Sequence, residues 1–192
     1  MAGELEEPSY DVVSTHEGFE VRRYTATVQA RVRRSSADGR GNSGGFRRLA
    51  GYIFGGNERG QRIAMTAPVH LWEDESSEAM LAFTLPSEHA FVDLPAPRDP
   101  GVHLLEVEAH TVAVLAFSGL TRSSKVSRLE ADLRQKVTSC GFEITGPSRL
   151  AVYDNPGTTL PFLRRNELHL PVKAKEDAKS LSDPVSVGNS GA

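Results

Sequence analysis

The chain has a single cysteine among its 192 residues, so it contains no internal disulfide bond. We expect this residue, Cys140, in the last turn of a helix as a small, buried, apolar side chain. Basic residues are not in excess either, since 22 Lys and Arg face 25 Asp and Glu and the net charge is -3. A nucleic-acid platform needs a basic face or stripe, so this class of function is disfavoured.

Long apolar runs are absent as well. No stretch approaches the ~20 apolar residues that a membrane-spanning helix needs, so we expect no membrane span. Residues 1–8 are acidic and have neither the apolar core of a signal peptide nor an Arg-rich transit pattern. We therefore expect a cytoplasmic monomer, or an organellar protein if a targeting segment is missing from the sequence.

Catalytic and metal-binding signatures are also missing. The sequence has no GxSxG turn, no GxxxxGK[ST] phosphate loop and no HExxH motif. Its six histidines follow no close metal-ligand spacing, and we expect each of them on the surface or in a turn. His169 alternates with Leu168 and Leu170, which places it on the polar face of the last strand. The sequence therefore predicts no catalytic residue and no metal ligand.

Alternation of apolar and polar residues predicts several strands. Residues 10–15 and 19–24 form a hairpin pattern around a Gly-containing turn, and Val28, Ala30 and Val32 alternate with polar residues. We expect the latter strand to bury one face and to expose the other to water. Residues 111–117 are almost continuously apolar, which is typical of a central strand covered on both faces.

Two segments have the period of an amphipathic helix. The first, residues 44–54, is closed by Gly55 and Gly56, and the second spans residues 123–140. The expected buried stripes are Phe46, Leu49, Ala50, Ile53 and Phe54 on the first helix, and Val126, Leu129, Leu133 and Val137 on the second.

A short echo divides the chain into two halves. Met65–Pro68 and Ile144–Pro147 share a pattern 79 positions apart, each after a helix, so that each half contains two strands, a helix and two strands. This predicts an α+β fold, a distorted antiparallel β-barrel flanked by two α-helices and built from two pseudo-symmetric α/β repeats. We expect one domain over residues 10–172, with repeats at about 10–94 and 102–172, between a flexible segment 1–9 and a disordered tail 173–192.

Seven segments in order resemble the SOUL family of haem-binding proteins, which includes haem-binding protein types 1 and 2. The segments are Phe19–Tyr24, Tyr52–Asn57, Met65–Val69, Leu94–Arg98, Phe117–Gly119, Tyr153–Pro156 and Arg164–Glu167. Each motif alone is weakly specific, but the ordered set covers roughly residues 10–172. The resemblance implies the same two-repeat barrel and non-covalent binding of haem or a related tetrapyrrole in an apolar cleft beside the first helix.

A haem pocket needs an apolar wall for the macrocycle and cationic groups for its propionates. By this resemblance, the candidate wall is Tyr52, Ile53, Phe54, Met65 and Phe162, and the candidate rim is Arg47, Arg48 and Arg164. Where one branch of the family has a histidine proposed as axial ligand, this chain has Arg23, which stays protonated and cannot ligate iron. The axial ligand is therefore left unassigned.

Three classes of function remain open from the sequence. The first is a tetrapyrrole carrier, buffer or sensor. The second is a regulatory or interaction protein, or a small-molecule effector-binding module with incidental haem affinity. The third is an enzyme that acts on a tetrapyrrole or another small ligand, which requires an acid in the cleft with a raised pKa, such as Glu106, Glu108 or Glu167.

Overall fold

A computed structural model describes residues 5–34, 43–154 and 159–175. The described chain forms ten strands and two α-helices. The strands are β1 Tyr10–His16, β2 Phe19–Tyr24, β3 Thr27–Arg33, β4 Val69–Glu73, β5 Ala79–Thr84, β6 Val102–Val107, β7 His110–Ser118, β8 Phe142–Ile144, β9 Arg149–Val152 and β10 Arg165–Ala174; the helices are α1 Ser43–Ile53 and α2 Ser123–Ser139. Short 3-10 turns occupy Phe91–Asp93 and Pro161–Leu163.

The strands form one curled antiparallel sheet in the order β1-β2-β7-β10-β9-β4-β5-β3-β6, with β8 added beside β10. The β4–β9 pair lies at the centre of a pseudo-twofold arrangement. On one side of it follow β5, β3 and β6, and on the other β10, β7 and β2. Each half of the sheet therefore includes strands from the other half of the sequence, because β6 pairs with β3, and β2, with β1 beside it, pairs with β7. The predicted fold class, a distorted antiparallel barrel with two repeats and two helices, is confirmed.

Each helix covers one half of the outer face of this sheet. Helix α1 packs on β3, β5 and β6, and α2 packs on β7, β8 and β10. Two separate apolar clusters result, one containing Leu49, Tyr52 and Leu81, the other containing Leu133 and Leu170, with all five of these side chains almost fully buried. Burial of that apolar area is the main stabilising contribution to the fold.

The buried stripe of α1 differs from the predicted one. Leu49 and Ile53 are buried as expected, but Phe46 and Phe54 are exposed and Tyr52 lies in the core. The Tyr52 hydroxyl donates to the Pro95 carbonyl oxygen at 3.0 Å, so the ring is buried with its polar atom satisfied. Phe54 falls after the end of the helix and turns away from the sheet.

The glycines that close α1 are confirmed as its terminator. Gly55 has a φ of 105°, and a Cβ at Gly56 would lie 2.6 Å from the Gly51 carbonyl oxygen. A side chain is therefore disfavoured at both positions. Strand β4 begins at Val69, directly after Pro68, which has no N–H to donate to a ladder.

The prediction for Cys140 is wrong, because this residue is exposed. It follows the last turn of α2 and lies beyond Val137, the last residue of that helix in the core. Of the predicted flexible N-terminus, residues 5–9 are described, and Glu6 pairs with Thr66. Most of the predicted disordered tail and the Asn-Pro pair of the family segment at 153–156 lie outside the described residues. Neither of the described helices is long and apolar enough to cross a membrane.

Candidate functional site

The face of the sheet that the helices do not cover is polar and yet buried. Strand alternation places Leu71 against α1, so that His70 and Trp72 point to the opposite, inner face of the curl. The buried polar residues of this inner face are Arg22, Gln29, His70, Thr84, Glu167 and His169. The expectation of a water-exposed polar face on β3 is wrong for Gln29, which is only 4 % exposed. The curl of the sheet encloses these side chains.

An open cleft of about 490 Å³ lies on this inner face, and we call it the inner-face cleft. Its wall includes Tyr24, Arg31, His70, His110, Arg149 and His169. A second cleft of about 520 Å³ adjoins it and is lined by Glu6, Glu7 and His89. The two clefts share the β6 residues Glu106 and Val107, together with Glu108.

Two arginines in the inner-face cleft lie over the same aromatic ring. The guanidinium carbons of Arg149 and Arg31 are 4.9 and 5.3 Å from the centre of the Trp72 ring. Burial and then repulsion from Arg31 lower the pKa of Arg149 to about 10. Both groups remain protonated at neutral pH, so two positive charges are held close together in a partly buried wall.

Neither arginine is neutralised by a carboxylate in the part of the chain that the structure describes. Arg31 donates from Nε to Gln29 Oε1 at 3.0 Å, and Arg149 Nε is buried without a hydrogen-bond partner. No ion pair involves either side chain among the described residues. Uncompensated, desolvated charge is costly, so this pair is a candidate anion-binding element.

The other half of the inner face neutralises its charge internally. Glu167 accepts hydrogen bonds from Arg22 Nη1 at 3.1 Å and from the Tyr153 hydroxyl at 2.5 Å, and it pairs with His169 Nε2 at 2.8 Å. Burial raises the pKa of Glu167, but the hydrogen bonds from His169 and Tyr153 and the charge of Arg22 outweigh it and bring the pKa to about 2. Glu167 is therefore ionised and is not an acid with a raised pKa.

His70 is held neutral in the middle of this face. It is 6 % exposed, and its ring centre lies 5.4 Å from that of His169. Burial, followed by the charges of His169, Arg149 and His110, lowers the pKa of His70 well below its ordinary value. Its Nδ1 is buried and has no hydrogen-bond partner within the described ranges of the chain. The expectation that each histidine lies at the surface is wrong for His70 and His169.

The predicted site residues on and after α1 are divided between core and surface. Tyr52 and Ile53 are 1 % exposed and fill the interface between the helix and the sheet. Arg48 pairs with Asp99 at 2.6 Å. Arg47 and Phe54 are exposed. These five residues are close together in the sequence. The structure, however, places them in different environments and does not bring them into one site.

The remaining predicted residues lie on two other segments. Met65 is half-buried against the α1 cluster. Phe162 is exposed and Arg164 donates from Nε to the Thr159 carbonyl oxygen at 3.1 Å, both in the segment that leads into β10. None of the eight predicted residues lines the two clefts described above. A haem site beside α1 stays a prediction.

The inner-face residues were not singled out by the sequence analysis. A signal was present, because Gln29 with Arg31, His70 with Trp72, and Glu167 with His169 each occupy alternate positions of a strand. Polar alternation of this kind does not reveal whether the polar face meets solvent or the inside of a curled sheet.

Solved structures define the fold class. A hydrolase from Listeria innocua matches with a TM-score of 0.58 over 90 % of this chain and 94 % of that chain, at 14 % identity. The C-terminal domain of EcmrR matches with a TM-score of 0.57 over 86 % and 99 % of the two chains, at 13 % identity. At such low identity, these matches show a shared two-repeat fold and nothing about function.

Sequence comparison gives the family. The family model for SOUL heme-binding proteins matches residues 5–171. Heme-binding protein 2 of Homo sapiens is 36 % identical over 87 residues, which are 42 % of each chain, and heme-binding protein 1 of Bos taurus is 29 % identical over 131 residues, 65 % of this chain and 66 % of the relative. The matched regions thus span less than two thirds of either relative. This chain belongs to the SOUL haem-binding protein family.

Proposed function

We propose that this protein binds haem non-covalently in the inner-face cleft and acts as a monomeric carrier, buffer or sensor. The observation that carries this proposal is the Arg31–Arg149 pair, two guanidinium groups over Trp72 with no carboxylate partner among the described residues. Haem is a flat, largely apolar macrocycle with two propionates. Its carboxylates match the charge of the Arg31–Arg149 pair, which forms no ion pair among the described residues, although Glu75, Glu106 and Glu108 also line the cleft.

The other walls of the cleft fit the same ligand. Its volume of about 490 Å³ lies within the range of roughly 300–1,000 Å³ that small-molecule sites occupy. Tyr24 and Val112 give it aromatic and aliphatic surface, and His70 contributes a neutral imidazole. Arg31 and Arg149 would hold the propionates. The bound haem would supply the iron and the coloured ring, and every lining residue comes from one chain.

The test removes the charges from both sides of the contact. Haemin and haemin dimethyl ester, in which the propionates are uncharged, are titrated into the wild type and into Arg149→Met, and binding is followed by Soret absorbance and by quenching of Trp72. A charged hydrogen bond is worth about 1.5–3 kcal/mol, so we expect the wild type to favour haemin at least tenfold. In Arg149→Met this preference should become small.

Arg33→Met is the matched control. Arg33 lies two residues after Arg31 on the same strand, but it is exposed and pairs with Glu78 at 2.8 Å. Arg33→Met removes one positive charge, as Arg149→Met does, but outside the cleft. The preference for haemin over its ester should therefore persist. Equal affinity of the wild type for haemin and its ester would contradict the proposed seat of the propionates.

The same titration separates this location from the one beside α1. Arg47→Met removes an exposed positive charge from that helix and should leave haemin affinity within about twofold if the inner-face cleft is the site. A larger loss in Arg47→Met than in Arg149→Met would instead favour the surface of α1, with Phe54→Ser as the next variant to test.

The second candidate is a regulatory module that binds a small effector, and the adjoining acidic cleft favours it. Glu6, Glu7, Glu106 and Glu108 line this cleft, which joins the cationic end of the inner-face cleft. A ligand with both positive and negative groups matches such a surface better than haem does. The fold is shared with the EcmrR C-terminal domain, and another solved structure shows EcmrR in a complex with DNA. Weak haem binding that is insensitive to both Arg149→Met and propionate esterification would favour this alternative.

A further inference from the structure

We infer that the inner-face cleft and the acidic cleft beside it together bind a small zwitterionic molecule, which carries a carboxylate at one end of an apolar linker and an ammonium group at the other. The inference goes beyond the proposed haem binding, because it needs neither iron nor a macrocycle. The two clefts share the residues at the end of β6, so one ligand can extend from the inner-face cleft into the acidic cleft.

The carboxylate end of the ligand is set by Arg31 and Arg149. Both guanidinium groups lie against Trp72, and neither arginine forms an ion pair within residues 5–34, 43–154 and 159–175. Glu75 also lines the inner-face cleft, but it forms no ion pair with either arginine. Arg149 Nε is enclosed, whereas the side chain as a whole is only half-buried, so a carboxylate can approach its other N–H groups.

The ammonium end of the ligand is set by Glu106 and Glu108, which line both clefts. Both side chains are exposed, and neither forms an ion pair in the described part of the chain. In the β3–β6 pair, His103 lies opposite Arg31, so Glu106 is about 10 Å further along β6 at a rise of roughly 3.3 Å per residue. This separation suits a ligand whose two charges are joined by several methylene groups.

The surface between these ends contains a buried polar atom without a partner. Thr84 lines both clefts and is 4 % exposed, and its hydroxyl forms no hydrogen bond with any residue that the structure describes. It lies opposite Gln29, on the inner face of the sheet. An unsatisfied buried hydroxyl opposes folding, so it is a second sign of a polar ligand, independent of the charges. Val107 lines both clefts as well and offers apolar surface for the linker.

The experiment compares three probes with chains of equal length. 8-Aminooctanoate carries both charges, octanoate carries only the carboxylate, and octylamine carries only the ammonium group. Binding to the full chain is followed by the fluorescence of Trp72 and by isothermal titration calorimetry. We expect 8-aminooctanoate to bind at least about tenfold more tightly than either single-charge probe, because each end adds a charged hydrogen bond.

Variants at the two ends should remove different parts of this preference. Arg149→Met should abolish the advantage of 8-aminooctanoate over octylamine, and the double variant Glu106→Gln with Glu108→Gln should abolish its advantage over octanoate. Arg33→Met and Glu143→Gln are the matched controls, because each removes an exposed charge outside both clefts. They should leave all three affinities within about twofold of the wild type.

Equal affinity for the three probes, or no binding of any of them, would overturn the inference. Loss of the advantage over octanoate in Glu75→Gln, with the Glu106 and Glu108 double variant unaffected, would overturn the placement of the ammonium group.

Haemin as a competitor separates this inference from the proposed function. If 8-aminooctanoate shows the expected preference and haemin does not displace it, the zwitterion site stands and the proposed haem location fails. If haemin binds in the cleft and the three probes bind equally, the inference fails and the proposed function stands.

Discussion

At strand β4 the two faces of the curled sheet are buried to a similar degree and differ in chemistry. On β4, Leu71 is 8 % exposed and His70 is 6 % exposed, one toward α1 and the other toward the inner-face cleft. The outer face uses this burial for apolar contacts, which stabilise the fold. The inner face contains an imidazole and guanidinium groups that have no hydrogen-bond or carboxylate partner in the described part of the chain, and their burial opposes folding. Departures from the usual rules of a stable core concentrate at functional sites, and here they lie on one face.

The inner face itself has two parts. Around Glu167, the charges of β2 and β10 neutralise each other. Around Trp72, the arginines of β3 and β9 do not find such partners among the described residues. The Trp72 environment lies on the central β4–β9 pair and on β3, and the Glu167 environment lies on β10 and β2, so the two environments occupy different parts of the sheet. We therefore expect substitutions to affect stability on the outer face and near Glu167, and to affect ligand binding near Trp72.

The largest effect is expected on the outer face. Leu133→Ala removes a side chain that is fully buried in the α2 cluster and leaves a cavity there. Such substitutions lower the free energy of unfolding by about 2–5 kcal/mol, which urea denaturation would measure. Haemin affinity of the folded fraction should not change, since Leu133 faces away from the cleft. Leu129→Ala, at a half-buried position of the same helix, should cost less. A loss below about 1 kcal/mol for Leu133→Ala would contradict the assignment of this cluster as core.

A smaller loss is expected at the neutralised cluster. Glu167→Gln removes the charge that Arg22 faces, and Arg22 keeps Glu20 at 2.9 Å, so we expect a loss of about 2 kcal/mol rather than the ~3–5 kcal/mol of a fully orphaned charge. The pKa of Glu167 is lowered from 4.5 to about 2, so its stabilisation is present above pH 4.5 and is lost as the pH falls toward 2.

Urea denaturation of the wild type and Glu167→Gln at several pH values would test this. The difference in stability between the two proteins should be full at pH 7 and should shrink between pH 4.5 and 2. Glu143→Gln is the control, because Glu143 is exposed and its ion pair is with the side chain of Lys173 at 3.3 Å. A difference that stays constant down to pH 2 would show that the charge of Glu167 does not matter.

The sequence predicts the residues of the outer face of the sheet better than those of the inner face. Alternation in β3 and the stripe of α2 identify Ala30, Val32, Leu133 and Val137 as core, and all four are buried. The repeat of the proline-containing pattern predicts two halves. Apolar burial is a local signal with a period of two or of 3.6 residues, so it can be recovered from one chain.

The inner face depends on information that is not local. The pairing of His70 with Ala151, or of Arg149 with Trp72 across β4 and β9, is set by the tertiary arrangement of two repeats. Alternation identifies a polar face, but the curl that closes this face comes from the whole sheet. Tyr52 was assigned to a ligand wall for a similar reason, because its aromatic side chain suits a pocket or a core equally well. The core position follows only from the Pro95 carbonyl that accepts its hydroxyl.

The pH dependence of stability tests whether His70, on the inner face of β4, is buried in its neutral form. Because the pKa of His70 in the folded protein lies well below 6.5, the unfolded chain takes up a proton first as the pH falls. Proton uptake at His70 does not affect the free energy of unfolding above pH 6.5. Below pH 6.5 it lowers the free energy of unfolding by up to about 1.4 kcal/mol per pH unit. His70→Leu should make the stability curve flatter between pH 6.5 and 5, by about 1 kcal/mol at pH 5.5. His103→Leu, at an exposed position, is the matched control. Identical slopes for all three proteins would contradict a buried neutral His70.

The smallest effect on stability is expected where the largest effect on binding is expected. Arg149→Met removes one of two mutually repelling charges and keeps an unbranched side chain of similar length against Trp72, although a cation–π contact worth about 0.5–1 kcal/mol is lost. These terms oppose each other, so the free energy of unfolding should stay unchanged or rise by up to about 1 kcal/mol in urea denaturation. Leu133→Ala should lower the free energy of unfolding and keep ligand binding, whereas Arg149→Met should keep the free energy of unfolding and weaken ligand binding. A loss of more than about 1 kcal/mol in Arg149→Met would mean that this guanidinium is part of the folding core, and the two faces would then not differ in the way proposed.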